Sequence, residues 1–270
     1  MSRCGKLLRV TRRHSLLDAF DTGPGRVLSL AGGGGKTALM YALARALLGA
    51  GRRVLTTTTT LIYPPGPGES PALLLLEERL GGREAIASLL TRHGHITVAQ
   101  RINPDGKLAG IPAALVDALA GSGVADVIIV EADGSAGRPL KAARDGEPVF
   151  APASTDCVLV MGADALGRPL DEAHVFRSAL ACEITGLPMG APVTVEAAVE
   201  LLIGPRGLAR GAPPASRLVV FVNKVEAPAQ EADASALARM LLARAVPRLA
   251  RVVAGSLSQA ERGFAVFERQ

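Results

Sequence analysis

The stretch SLAGGGGKTALM, residues 29–40, decides how the chain is read. Four glycines precede Lys36 and Thr37. A short apolar run, RVLSL (26–30), comes before them, and KTALMYALARALLGAG (36–51) follows, with apolar residues at helical spacing that stop at glycines. Strand, glycine loop, helix is the context in which G-K-T becomes a phosphate cradle. Backbone N–H groups without Cβ atoms in the way converge on phosphate oxygens, and the helix N-terminus adds partial positive charge. The full pattern G-x-x-x-x-G-K-[ST] wants a glycine where this chain has Leu30, but the inner core from Gly32 to Thr37 is intact. Gly32, Gly33, Gly34, Gly35, Lys36, Thr37 and Ala38 are therefore expected to hold nucleotide phosphates. Lys36 would neutralise the terminal ones and the Thr37 hydroxyl would ligate Mg²⁺. A plain glycine turn would need neither Lys nor Thr.

Such a loop needs a carboxylate at the end of a neighbouring parallel strand. ADVIIVEADGS (125–135) supplies Glu131 and Asp133 directly after an aliphatic run. Either completes the Mg²⁺ site, and catalysis is expected to fall on Lys36, Glu131 and Asp133. VVFVNKVE (219–226) adds a third element, close to the N-K-x-D motif whose carboxylate accepts two guanine N–H groups while the Lys stem covers the base. Asn223, Lys224 and Glu226 are thus expected at the base. Glu in place of Asp leaves both GTP and ATP open, and AGSL (254–257) could add a backbone contact. One hydroxyl of the run Thr56, Thr57, Thr58, Thr59, Thr60 could face the phosphates, although β-branched residues in a strand explain most of it. Arg138 and Lys141 could form a switch that senses phosphate, or be two solvated cations.

Farther from the loop, strand-like runs alternate with helical ones. RRVLTTTTT (52–60), HITVAQRI (95–102), TDCVLVMGAD (155–164), SRLVVFVNKVE (216–226) and, last, RLARVVAGSL (248–257) read as strands. Residues 69–82, 83–94, 110–123, 193–204 and 231–246 read as helices. Aliphatic strands separated by helices imply an α/β fold, a three-layer α/β/α sandwich on a mostly parallel sheet. One domain, 1–270, is expected, with a peripheral insertion at about 64–125.

Composition narrows the function. The net charge is +5, but basic residues are scattered and aromatics are only 3%, so neither nucleic acid nor a membrane is expected as partner. The longest aliphatic run, 73–76, is far too short for a span. Cys4, Cys157 and Cys182 form no C-x-x-C pair, which fits a reducing compartment. The Arg-rich start lacks a continuous apolar segment and already carries Asp18 and Asp21, so it reads as mature, cytoplasmic protein. His93 and His95 read as surface residues. The chain has 25 Arg but only five Lys, namely Lys6, Lys36, Lys107, Lys141 and Lys224, so each lysine position is a choice against the bias.

SLAGGGGKTALMYALARALL, RVLTTTTT, GKLAGIPAALVDAL, IIVEADGSAGRPLKA, GADALGRPL and NKVE are similar, in order and spacing, to the YqeC-type selenium-dependent hydroxylase accessory proteins, over about residues 15–256. The resemblance implies a P-loop NTPase of SIMIBI-like fold that serves maturation of selenium-dependent molybdenum hydroxylases. It also implies a client hydroxylase or its cofactor-maturation machinery as partner; a homodimer is a further expectation for its assembly. Ala31 stands where ParA- and MinD-type ATPases carry a signature lysine, which argues against that trans-acting mechanism. Two alternatives stay open. One is a small-molecule kinase or ATP-dependent ligase with a loop like that of Mur ligases; the other is a non-hydrolysing nucleotide-binding module.

Overall fold

The computed structural model describes residues 8–78, 82–244 and 246–270; Cys4 and Lys6 lie outside the described residues. In chain order the elements are β1 (Leu8–Arg13), α1 (Leu16–Phe20), β2 (Arg26–Gly32), α2 (Lys36–Gly49), β3 (Val54–Thr58), β4 (Leu61–Ile62), β5 (Leu73–Leu75), α3 (Gly82–His93), β6 (His95–Ala99), β7 (Arg101–Ile102) and β8 (Leu108–Ala109). Then follow α4 (Ala113–Gly121), β9 (Val127–Glu131), β10 (Leu140–Lys141), β11 (Asp156–Gly162), β12 (Val175–Phe176), α5 (Ser178–Thr185), α6 (Val195–Ile203), β13 (Arg217–Asn223), α7 (Pro228–Ala243), β14 (Leu249–Ala254) and β15 (Phe264–Arg269).

Ten strands form one sheet in the order β1-β15-β14-β13-β11-β2-β9-β3-β6-β5. From β14 to β5 every pairing is parallel, whereas β15 runs antiparallel to both β14 and β1. The strand sequences explain this. VIIVE and DCVLVMG are buried along their whole length, because helices cover both faces. On one face Phe20 of α1 and Leu39 and Leu43 of α2 pack over Leu28, Val158 and Phe221. On the other, Leu90 and Val116 of α3 and α4 cover Ile128, and Leu202 and Leu237 of α6 and α7 cover Val220. The architecture is the α/β/α sandwich, and its central strand, β2, carries the glycine loop at its carboxyl end.

Three sequence expectations are overturned. The helix expected over 69–82 is a strand where described: Leu73–Leu75 pairs in parallel with β6 at the sheet edge, followed by a 3-10 turn at Leu76–Glu78. Four consecutive leucines carry neither a helical nor a strand period, so the open edge beside β6 decides. β14 is not the last strand; FAVFER follows it as β15 and pairs with β1. His95 is not a surface residue either, being 2% exposed under Thr56, with burial lowering its pKa to about 4. Within 64–125, β5 and β6 complete one end of the main sheet, and β4, β8 and β7 form a small antiparallel sheet. Among the described residues no helix is long and apolar enough to cross a membrane.

Candidate functional site

The loop after β2 is held by close backbone approach. A Cβ on Gly33 would stand 2.5 Å from the Arg138 carbonyl oxygen, and one on Gly34 would enter the backbone of Gly162. No other residue fits there. The loop N–H groups then divide into two sets. Gly32 N–H donates to both Asp133 carboxylate oxygens (3.0 and 3.1 Å), Gly33 N–H to the Val160 carbonyl (2.9 Å) and Gly34 N–H to the Arg138 carbonyl (2.9 Å). These three shape the loop. The next N–H groups, from residue 35 into the first turn of α2, have no carbonyl one turn earlier to donate to. Gly35, the N-cap at φ 116°, has no side chain to cap them, and the first turn holds no acidic residue. The positive end of a 14-residue helix is therefore left for an anion.

Beside it lies a buried ionic cluster. Lys36 is 3% exposed; its Nζ donates to the Gly32 carbonyl (2.6 Å) and lies 3.3 Å from Asp133 and 3.6 Å from Glu131. Asp133 also receives Lys141, fully buried, at 2.9 Å. Lys141 donates in turn to the Gly134 carbonyl and to Glu147 (3.0 Å), and Arg177 grips Glu147 with two bonds of 2.7 and 2.8 Å. Lys36, Lys141 and Arg177, with Arg144 at the exposed rim 2.9 Å from Glu147, thus face Glu131, Asp133 and Glu147. Burial would raise the Glu147 pKa, but Arg177 and Lys141 more than reverse that and hold it at about 2. Glu131 differs: burial pushes its carboxyl up, only partly opposed by Lys36 and the Thr37 hydroxyl, which donates to it at 2.7 Å.

The two expected metal carboxylates therefore occupy different surroundings. Both Asp133 oxygens are engaged by Gly32 N–H and the lysines, whereas Glu131 meets Thr37 at the edge of the open space. Among the described residues no three His, Cys, Asp or Glu side chains cluster to hold a metal ion. A Thr37–Glu131 pair nonetheless fits Mg²⁺, which takes one or two protein oxygens and completes its shell with phosphates and water.

The expected base residues converge on the other side of the loop. Asn223, at the end of β13, donates from Nδ2 to the Gly34 carbonyl (2.8 Å) and accepts Leu257 N–H at Oδ1 (3.2 Å). Asn223 so ties the glycine loop to the AGSL segment. Glu226 accepts Ser256 and Ser258 hydroxyls at 2.7 and 2.8 Å, which lower its pKa. Lys224 pairs with Asp164 at 2.7 Å. Ala38 stands in the first turn of α2.

Other expectations resolve differently. Thr56, Thr57, Thr58 and Thr59 bond to Thr97 and the carbonyls of Val98, Glu131 and Val149, so the run satisfies the sheet. Lys141 is not a solvated cation, and Arg138 directs its guanidinium to the Glu172 and Ala136 carbonyls. Sequence reading missed Glu147, Asp164 and Arg177; the lysine bias was the one signal near them. The four described lysines, Lys36, Lys107, Lys141 and Lys224, all lie in or beside this site. Lys107 does so by lining a cavity of about 720 Å³ that opens over Gly35, Lys36, Thr37 and Glu131.

A family model described as YqeC protein matches residues 28–179, more than half of the chain. The uncharacterized protein YqeC of Escherichia coli (strain K12) is 34% identical over 199 residues, covering 73% of this chain and 75% of that protein.

Proposed function

The chain belongs to the YqeC family, and from that premise we propose that it is a Mg²⁺-dependent nucleotide-binding protein that hydrolyses GTP or ATP as an accessory factor in maturation of a selenium-dependent molybdenum hydroxylase. The observation that carries the nucleotide reading is the uncapped start of α2, with Lys36 beside it and the Thr37–Glu131 pair at its edge. The accessory role and the client rest on the family resemblance.

In this reading the N–H groups at 35–38 and Lys36 bind the phosphates. Bound at Thr37 and Glu131, Mg²⁺ would supply charge neutralisation for the β- and γ-phosphate oxygens. Asp133 is a positioning residue: it orients Gly32 N–H and Lys36 and passes their position to Lys141. Asn223 fixes the loop against the base segment, and the second Glu226 oxygen is left to accept from a guanine N–H. Arg138 lends its carbonyl to Gly34, so movement of the 134–141 turn reshapes the loop. That coupling gives a client a handle on turnover, and slow hydrolysis alone is expected.

The test is titration of GTP and ATP, with and without Mg²⁺, into wild type and Thr37→Ala. Binding that Mg²⁺ strengthens in wild type but not in the variant is expected. Equal affinity under all four conditions would remove the metal assignment.

A further inference from the structure

We propose that the chain has a second small-molecule subsite, beyond the terminal phosphate, built by Tyr63, Lys107 and Phe176 and selective for an anion with a planar or apolar body. It rests on the nucleotide reading above, which sets the direction of the phosphates.

The topology gives that direction. β13, with its base motif, lies two strands to one side of β2, while β3, which leads into Ile62 and Tyr63, lies two strands to the other. A nucleotide with its base near Asn223 and its phosphates on the start of α2 points its terminal phosphate toward β9 and β3. The cavity of about 720 Å³ extends the same way: Lys36 and Thr37 line it together with Ile62, Tyr63, Lys107 and Phe176, and Asn223, Lys224 and Glu226 are not among its walls. Its volume is that of a small-ligand site, roughly 300–1,000 Å³. Water attacking a phosphate would need no aromatic wall.

The wall chemistry names the ligand class. Tyr63 is 69% exposed, an aromatic ring presented rather than packed. Lys107 Nζ stands 5.5 Å from its ring centroid, and its ion pair is with Asp105, half-exposed on the neighbouring turn, at 3.3 Å. Phe176 is braced by the Arg177 guanidinium at 4.7 Å and Lys141 at 5.7 Å. Of the four described lysines, Lys36, Lys141 and Lys224 are committed to Asp133, Glu147 and Asp164. Lys107 is the lysine on the Tyr63 wall of the cavity, and its pair with Asp105 is open to solvent. Two rings for a flat or apolar body and one ammonium for a charge describe an organic carboxylate, sulfonate or phosphate ester.

The test uses 2-naphthoate as probe, followed by ligand-observed NMR and calorimetry with and without Mg²⁺ and nucleotide, on wild type, Tyr63→Ala and Lys107→Ala. Circular dichroism checks the fold of each variant. Naphthoate is expected to bind wild type and to lose about tenfold in affinity in each variant. Nucleotide affinity should stay within about twofold. Unchanged naphthoate affinity in the variants, no naphthoate binding to a wild type that binds nucleotide, or an equal loss of nucleotide affinity would each overturn the subsite. A failure of the nucleotide reading is told apart because nucleotide would then not bind wild type, while the nucleotide-free arm still reads the subsite.

Discussion

The two ends of the site are built from the same residue types under opposite conditions. At the proposed phosphate end Lys36, Glu131, Asp133 and Lys141 are buried, with Lys141 and Asp133 fully so. At the proposed base end Lys224 and Asp164 are more than a third exposed, and Glu226 is bonded by serine hydroxyls at the surface. A buried charge that loses its partner stays costly, whereas an exposed one is taken up by water. The phosphate end should therefore act as part of the fold, and the base end as a replaceable recognition surface.

Lys141→Met is the strongest way to break that contrast. It leaves Asp133 and Glu147 without their shared cation and should cost about 3–5 kcal/mol in urea unfolding. A loss below about 1 kcal/mol would mean that the cluster does not hold the fold.

Acid should find the same end. The Glu147 carboxyl titrates at about 2 rather than at its usual 4.5. The unfolded chain thus takes up this proton first, and the stabilisation is full above 4.5 and lost as pH falls from 4.5 to 2. Its size is at most about 3 kcal/mol. Glu147→Gln should flatten the stability profile across that window, as measured by thermal unfolding at stepped pH.

Asn223 joins the two ends, so Asn223→Ala should cost an intermediate amount, about 1–3 kcal/mol for the unpaired Gly34 carbonyl and Leu257 N–H. It should also weaken nucleotide binding in calorimetry. Glu226→Gln sharpens the comparison from the other side. Its stability should stay within about 0.5 kcal/mol of wild type. If guanine is read here, GTP should weaken by about tenfold with ATP unaffected.

Much of this arrangement is legible in the sequence because it is local or periodic. The aliphatic runs in β9, β11 and β13 give the parallel sheet, and G-G-G-G-K-T between strand and helix gives the loop. Leu73 to Leu76 defeated periodicity, and β1 and β15 depend on a pairing between the two ends of the chain. Glu131 and Asp133, two residues apart on one strand end, are equivalent in sequence. Only the tertiary position of Lys141 and the Gly32 N–H separates them. Glu147 and Arg177 meet across 30 residues with no motif to mark them. The Arg-for-Lys bias carried more site information than any single charge count, since all four described lysines border one cavity or its supports.

The start of α2 with Lys36 is proposed to hold nucleotide phosphates. Calorimetric titration of Mg²⁺-GTP and Mg²⁺-ATP into wild type and Lys36→Ala, with folding checked by circular dichroism, tests it most directly. Binding to wild type and a loss of at least about a hundredfold in the folded variant are expected. Undiminished binding by Lys36→Ala, or no binding of either nucleotide to wild type, would contradict it.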